Sequence, residues 1–370
     1  MKNWIPKYRL PSGPLTSSRP VTSSRAISSL GLLALLFVAG LLWGCDDGRT
    51  PVVLYSPHGR DLLTLVETTF EAQNPEIDVR WLDMGSQEVF DRVRSETANP
   101  QCDVWFGGPA AILDMAAEAG LLTPFRPTWA DAVPERSQHP ENLFFGLYRT
   151  LPLLVYNEDA LSPDEAPSDW DALLEPRWQD KILIREPLAS GTMRTIFGMM
   201  LAQSVSRTGA TDEGFDWLRR LDAQTKEYVH NPALLHQKMI RQEGLVTMWT
   251  LTDILLQRQR GAPLGYRFPK SGTPVIDDSI ALVKGARHAE AAQTFIEWIG
   301  SREAQLLTAE KALFLPARDD LPAEDLPEWA RQALAEMVPA DVDWSLIEER
   351  GAAWMDAWDR EVRGKGKAAD

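Results

Sequence analysis

Arg185 and the run Ser190-Gly191-Thr192 are the residues whose types and spacing speak most directly of chemistry. Arg185 closes KILIR (181–185), which reads as a strand, and Ser190 opens a helix reaching about Ser206. A helix entry presents unpaired backbone N–H groups and the positive end of the helix dipole. A guanidinium beside it can grip two oxygens at once, so the pair suits a phosphate, a carboxylate or another oxyanion. The plainer alternatives are a serine cap on the helix and an ion pair of Arg185 with Glu186. Asn231-Pro232 repeats the pattern, with Asn as cap and Pro at the first helical position.

Other polar loops follow apolar runs. Ser56 and His58 come directly after VVLY (52–55), where ligand contact is expected in open α/β sheets. Gly85-Ser86-Gln87 forms either a ligand loop or a helix-entry turn. Gly107 and Gly108 allow a close backbone approach, to a ligand or to a neighbouring helix. Trp249 is a stacking candidate in a cleft, against the alternative of a core tryptophan. His139, His236 and His288 read as surface or helix positions. Cys102 has no CxxC partner and reads as a small buried residue. With no HExxH, GxSxG or CxxC, the chain gives little support to an exported hydrolase or a zinc site. No catalytic residue, metal or cofactor is assigned.

The elements that must position these residues alternate. VVLY, IDVRW (77–81) and DVWF (103–106) read as strands, each followed by an amphipathic helix, which predicts βαβ units and a parallel sheet. LPLLVYN (151–157) begins a second series, with strands at LVTMW (245–249), PLGYRF (263–268) and SIALVKG (279–285). From Leu326 the tail reads as helical. At 370 residues the chain predicts two domains. The formal charge of −15 argues against a nucleic-acid partner.

Residues 1–44 carry five basic side chains and no acid, and Leu30–Trp43 is an apolar run too short for a spanning helix. The run ends in Leu42-Trp43-Gly44-Cys45, which resembles a bacterial lipobox. Trp43 departs from the small residue usual there. The resemblance implies acylation of Cys45, a tether at 45–50 and a mature body of formal charge −20. The protein would then stand on the outer face of the cytoplasmic membrane, periplasmic in a Gram-negative cell.

The order of YSPHG, NPQCDVWFGGP, EAGLLTPF, PSDWDALLEPRW, SGT and DDSIALVKGARHAEAAQTFIEW resembles the periplasmic solute-binding proteins that include ferric-, thiamine- and aminoethylphosphonate-binding members. The resemblance covers roughly 51–318. It implies an α/β, two-lobe type II periplasmic-binding-protein fold with two hinge crossings, near Tyr148–Pro152 and Thr273–Ser279. Lobe 1 would combine 51–147 with 279–325, lobe 2 would be 148–278, and C-terminal helices at 326–370 would pack on lobe 2. Asp277 and Asp278 would sit near a crossing, ordering it or facing a cationic ligand. The implied function is hinge closure on a small solute, delivered by a monomer to ABC permease subunits. In such relatives the tripeptide matching 190–192 holds an oxyanion. Ferric-binding relatives use a tandem Tyr pair, which this chain lacks; LVTMWTLTD (245–253) stands there instead. Ferric, thiamine or polyamine binding, and service to a membrane sensor, are the alternatives.

Overall fold

The computed structural model describes residues 48–366; Cys45 and the apolar run before it lie outside the described residues. The chain builds two sheets. The first opens with β1 (Thr50–Ser56), α1 (Gly59–Gln73), β2 (Ile77–Asp83), α2 (Ser86–Ser95), β3 (Val104–Pro109), α3 (Ala110–Glu118) and β4 (Leu122–Thr123). It adds β5 (Phe145–Thr150), then the later strands β11 (Ile276–Val283) and β12 (Leu315–Pro316), in the order β12-β5-β11-β3-β1-β2 with β4 on β11. The second sheet uses β6 (Pro152–Asn157), β7 (Ile182–Arg185), β8 (Thr225–Val229), β9 (Val246–Thr250) and β10 (Leu264–Arg267), in the order β10-β6-β9-β7-β8.

Period-two burial explains the first sheet. Leu54, Phe106 and Leu282 enter one apolar cluster, while Tyr55, Trp105 and Val283 enter another on the opposite face. Helix α1 covers the first face through Leu62, Leu63, Val66 and Phe70. It stops at Asn74, ahead of Pro75. Helix α8 (Ala289–Ile299) joins it with Phe295, Ile296 and Ile299.

The sheets are mixed, not parallel as the βαβ reading predicts. Strands β1, β2 and β3 are parallel, but β11 runs antiparallel to β3 and β5, and β6 antiparallel to β9 and β10. The cause is topological. The chain leaves the first sheet at β5 and returns at β11 from the other side, which reverses its direction. Strands β5 and β8 carry no clear apolar alternation, and the sequence reading passes over both. Strand β11 also begins three residues earlier than SIALVKG suggests.

Leu151 alone separates β5 in one sheet from β6 in the other. The chain crosses back at 273–275, where Thr273 is bound on both sides by Val338 and Ala340 of the C-terminal segment, at 2.7 and 2.8 Å. The second sheet carries α4 (Gly191–Thr208), α5 (Asp212–Gln224), α6 (Pro232–Ile240) and α7 (Leu251–Gln259). After β12, reached through α9 (Arg302–Ala312), the chain forms α10 (Glu328–Glu336) and α11 (Trp344–Glu361). Ala330, Trp354, Met355 and Trp358 from these last helices share one core with Leu153, Leu183, Phe197 and Met248 of the second lobe.

Candidate functional site

A cavity of about 110 Å³ lies between the two sheets. The first lobe lines it with Pro57, His58, Gly85, Ser86, Asp278 and Phe314; the second with Arg185, Ser190, Thr192, Pro232, Trp249 and Asp253. The entries of α1, α2, α4, α6 and α7 all reach it. Each helix entry carries partial positive charge on N–H groups with no intrahelical partner. Their convergence aims backbone donors at the cavity, beside the carboxyl groups of Asp253 and Asp278.

Arg185 stands at the end of β7 with 4% of its surface exposed. Nη1 donates to the Val229 carbonyl at a long 3.4 Å. Glu186, its neighbour in sequence, is paired with Arg363 beyond α11. Among the described residues no carboxylate lies within ion-pair distance of Arg185. Burial lowers the affinity of its guanidinium for its proton, partly offset by the field of Glu88. A buried cation so placed is complementary to an anion arriving from outside the protein.

The Ser190 hydroxyl accepts from the Met193 N–H at 3.3 Å, so the side chain caps α4; Ser190 and Thr192 line the cavity, whereas Gly191 between them packs against Pro109 instead. Asn231 differs from the sequence reading. Its side chain is spent on the Leu234 N–H at 3.2 Å, it is exposed, and Pro232 rather than Asn231 lines the cavity. Among the second-lobe helix entries at the cavity, the one without a side-chain cap is that of α7. Thr250 makes no side-chain cap bond, and Thr250 and Thr252 both face the cavity.

Asp278 is buried and bonded by the Thr150 hydroxyl and the Gly108 N–H. Burial, then the charge of Asp277, push its carboxyl up to about 7. Asp277 points the other way, to the Ser137 hydroxyl at 2.5 Å. Trp249 lines the cavity and donates Nε1–H to Asp253 at 2.5 Å, which orients that carboxylate.

His58 sits edge-on to Phe106, Tyr148 and Phe314, at centroid distances of 5.2, 5.6 and 4.9 Å. Burial drives its titration down to about 3, so it is neutral at ordinary pH. Its Nε2 packs over Gly107, where a Cβ would stand 2.0 Å away. Gly107 is a glycine on two counts, this contact and a backbone φ of 101°. Ser56 is fully buried, and its hydroxyl accepts from the His58 N–H at 3.2 Å, holding that turn without lining the cavity. Ser86 lines the cavity, whereas Gln87 turns outward to accept from Arg194 of α4 at 3.0 Å. Gly108 serves through its N–H to Asp278.

Sequence reasoning passed over Asp253, Thr150 and Phe314. Asp253 had a signal, three residues into a helix behind Thr250; Phe314 had none, because a left-handed Leu313 (φ 60°) delivers it.

The description of a bacterial extracellular solute-binding protein matches residues 103–337. The chain belongs to that family. An uncharacterised protein of Haemophilus influenzae is 28% identical over 344 residues, covering 90% of this chain and 97% of that one. A probable ABC transporter periplasmic-binding protein of Sinorhizobium fredii is 25% identical, covering 84% and 86%. A putative 2-aminoethylphosphonate-binding periplasmic protein of Salmonella typhimurium is 27% identical, covering 76% and 82%. Among solved structures, the periplasmic binding protein AfuA of Actinobacillus pleuropneumoniae with fructose-6-phosphate bound superimposes with a TM-score of 0.75 at 25% identity, covering 86% of this chain and 99% of AfuA. The ferric binding protein of Campylobacter jejuni superimposes at 0.70 with 17% identity, covering 84% of this chain and 98% of that one, a likeness of fold. The type II binding-protein architecture implied by the sequence motifs is therefore the architecture of this solute-binding protein.

Proposed function

We propose that this solute-binding protein, the binding component of an ABC importer, captures a small solute bearing an oxyanion and closes its two lobes over it. One observation carries the reading: Arg185 is buried at the wall of a cavity ringed by helix entries, with no carboxylate paired to it. Ser190 and Thr192 from α4 and the uncapped entry of α7 supply further donors. The cavity is well below the roughly 300–1,000 Å³ of drug-sized pockets, which favours a compact ligand. Both compounds named for the phosphonate-binding and AfuA relatives carry a phosphorus oxyanion. Among the described residues no three His, Cys, Asp or Glu side chains cluster as a metal site, and no tyrosine lines the cavity.

The protein does its work without covalent chemistry. Binding would draw α4 and α7 toward the first lobe, and the closed form would be the one a permease recognises. Cys45 acylation would keep it at the membrane surface. The test is a thermal-shift screen with inorganic phosphate, 2-aminoethylphosphonate, fructose 6-phosphate, ferric citrate, thiamine and spermidine. A compound at 100 times its Kd adds about 2.7 kcal/mol of stability. Stabilisation by phosphorus oxyanions is expected. Stabilisation only by ferric citrate, thiamine or spermidine would sink the reading.

A further inference from the structure

Two glycines at the rim of the cavity have ordinary backbones. Gly85 precedes α2 at φ −60°, ψ 151°, and Gly191 is the first residue of α4; both conformations are open to any residue. Glycine in a helix also costs stability relative to alanine. Nothing local requires a glycine at either place. What requires it lies on the opposite lobe. A Cβ on Gly85 would stand 2.6 Å from the Ala189 carbonyl oxygen of the second lobe. A Cβ on Gly191 would stand 2.7 Å from both Cγ and Cδ of Pro109 on the first lobe, and 3.2 Å from the Ser86 hydroxyl.

We propose that Gly85 and Gly191 are the closure contacts of the cleft, each omitting a side chain so that the facing lobe seats against its backbone. The arrangement is reciprocal, with one glycine on each lobe and a rigid partner opposite each. Pro109 is a ring fixed to β3, and Ala189 offers a backbone carbonyl, so neither can rotate away from an added methyl. A side chain at either position would leave the lobes fully folded yet hold them apart. The degree of closure, and with it the size of solute that can be sealed in, is set at these two positions. The inference rests on the closure part of the proposed function and not on the chemistry of the solute.

The test therefore uses no solute. In the full chain, Gln87→Cys and Arg194→Cys place thiols where side chains of the two lobes now touch at 3.0 Å. A short bifunctional thiol reagent traps the lobes when they shut, and the trapping rate is read by gel mobility. In the parent background the link is expected to form. Gly191→Ala should slow it, and Gly191→Val should slow it by about tenfold or more, in keeping with the cost of overpacking a tight contact. Adding Pro109→Ala to Gly191→Ala should restore the parent rate, because it removes the two ring carbons that clash. The melting temperature of Gly191→Ala should hold or rise, since alanine favours the helix. Failure of the parent pair to link, linking at parental rate in Gly191→Val, or no rescue by Pro109→Ala would each overturn the proposal. A slowed Gly191→Ala that also melts lower would overturn it as well, by marking a folding role.

Discussion

Arg185 shows what a single side chain can commit a site to. Holding a buried guanidinium without a carboxylate is unfavourable, and an arriving oxyanion relieves the deficit. A hydrogen bond to a charged group contributes about 1.5–3 kcal/mol, so Arg185→Ala should weaken binding of the stabilising phosphorus compound roughly 10- to 150-fold. Calorimetric titration reads this directly; unchanged affinity would remove Arg185 from the site. Asp278 yields a separate prediction on stability. Its folded carboxyl holds a proton up to about 7, against 3.8 in an unperturbed chain. The folded state therefore binds more protons across that window. The resulting stabilisation is fully present below the unfolded value and is lost as pH rises through about 7. Asp278→Asn should recover on the order of 1–3 kcal/mol at pH 8 and much less at pH 5. His58 tilts stability the opposite way, because its folded titration lies near 3. The comparison that isolates Asp278 is thus wild type against Asp278→Asn at each pH, by urea midpoint. An equal gain at both pH values would show that the proton is not held.

At the scale of elements, the helix caps divide into two kinds. Asn231 and Ser190 both cap with their side chains, yet only Ser190 also lines the cavity. Replacing either with Ala should cost about 1 kcal/mol of folding stability. Asn231→Ala should leave solute affinity unchanged. Chemical denaturation paired with titration separates the two effects, and a loss of affinity in Asn231→Ala would restore it to the site. The alternation of strands and helices was legible because buried strands read as apolar runs and surface helices as amphipathic ones. So was the entry at Ser190, where a strand, a guanidinium and a capping serine fall within ten residues. Strands β5 and β8 were not legible, since FGLYRT and TKEYV mix polar and apolar residues without alternation. The direction of β11 could not be read either, because periodicity carries no sign. The pairing of Gly85 with Ala189, and of Gly107 with His58, depends on which elements meet across space. No local pattern encodes it.

At the scale of the molecule, the C-terminal helices are structural parts of the second lobe. Trp358 is fully buried, stacked edge-on to Phe197 and Tyr228 at 5.4 and 5.3 Å. Trp358→Ala should destabilise by roughly 3–5 kcal/mol, the usual range for emptying a large aromatic site. Near-ultraviolet circular dichroism with thermal melting would report it, and a wild-type melt would show that α11 is only an appendage. Anchoring belongs to this scale too. Cys45→Ala should accumulate unprocessed precursor in cell fractionation. A variant processed and membrane-bound like the wild type would dismiss the lipobox.

The crossing at Leu151 bears on how such a chain can change over evolutionary time. Connections between elements are ordinarily where insertions accumulate, because a surface loop can swell without disturbing what it joins. Here the connection is one residue long, and the strands on either side are hydrogen-bonded into different sheets. Side chains alternate along a strand, so one extra residue at 151 would slide β6 by one position against β9 and exchange its two faces. Leu153 and Val155 would trade places with Leu154 and Tyr156 in a strand that is buried throughout. Substitution can drift at this point; length cannot. Lineages of this fold should therefore vary in length at their peripheral loops while keeping the count of residues between β5 and β6 fixed.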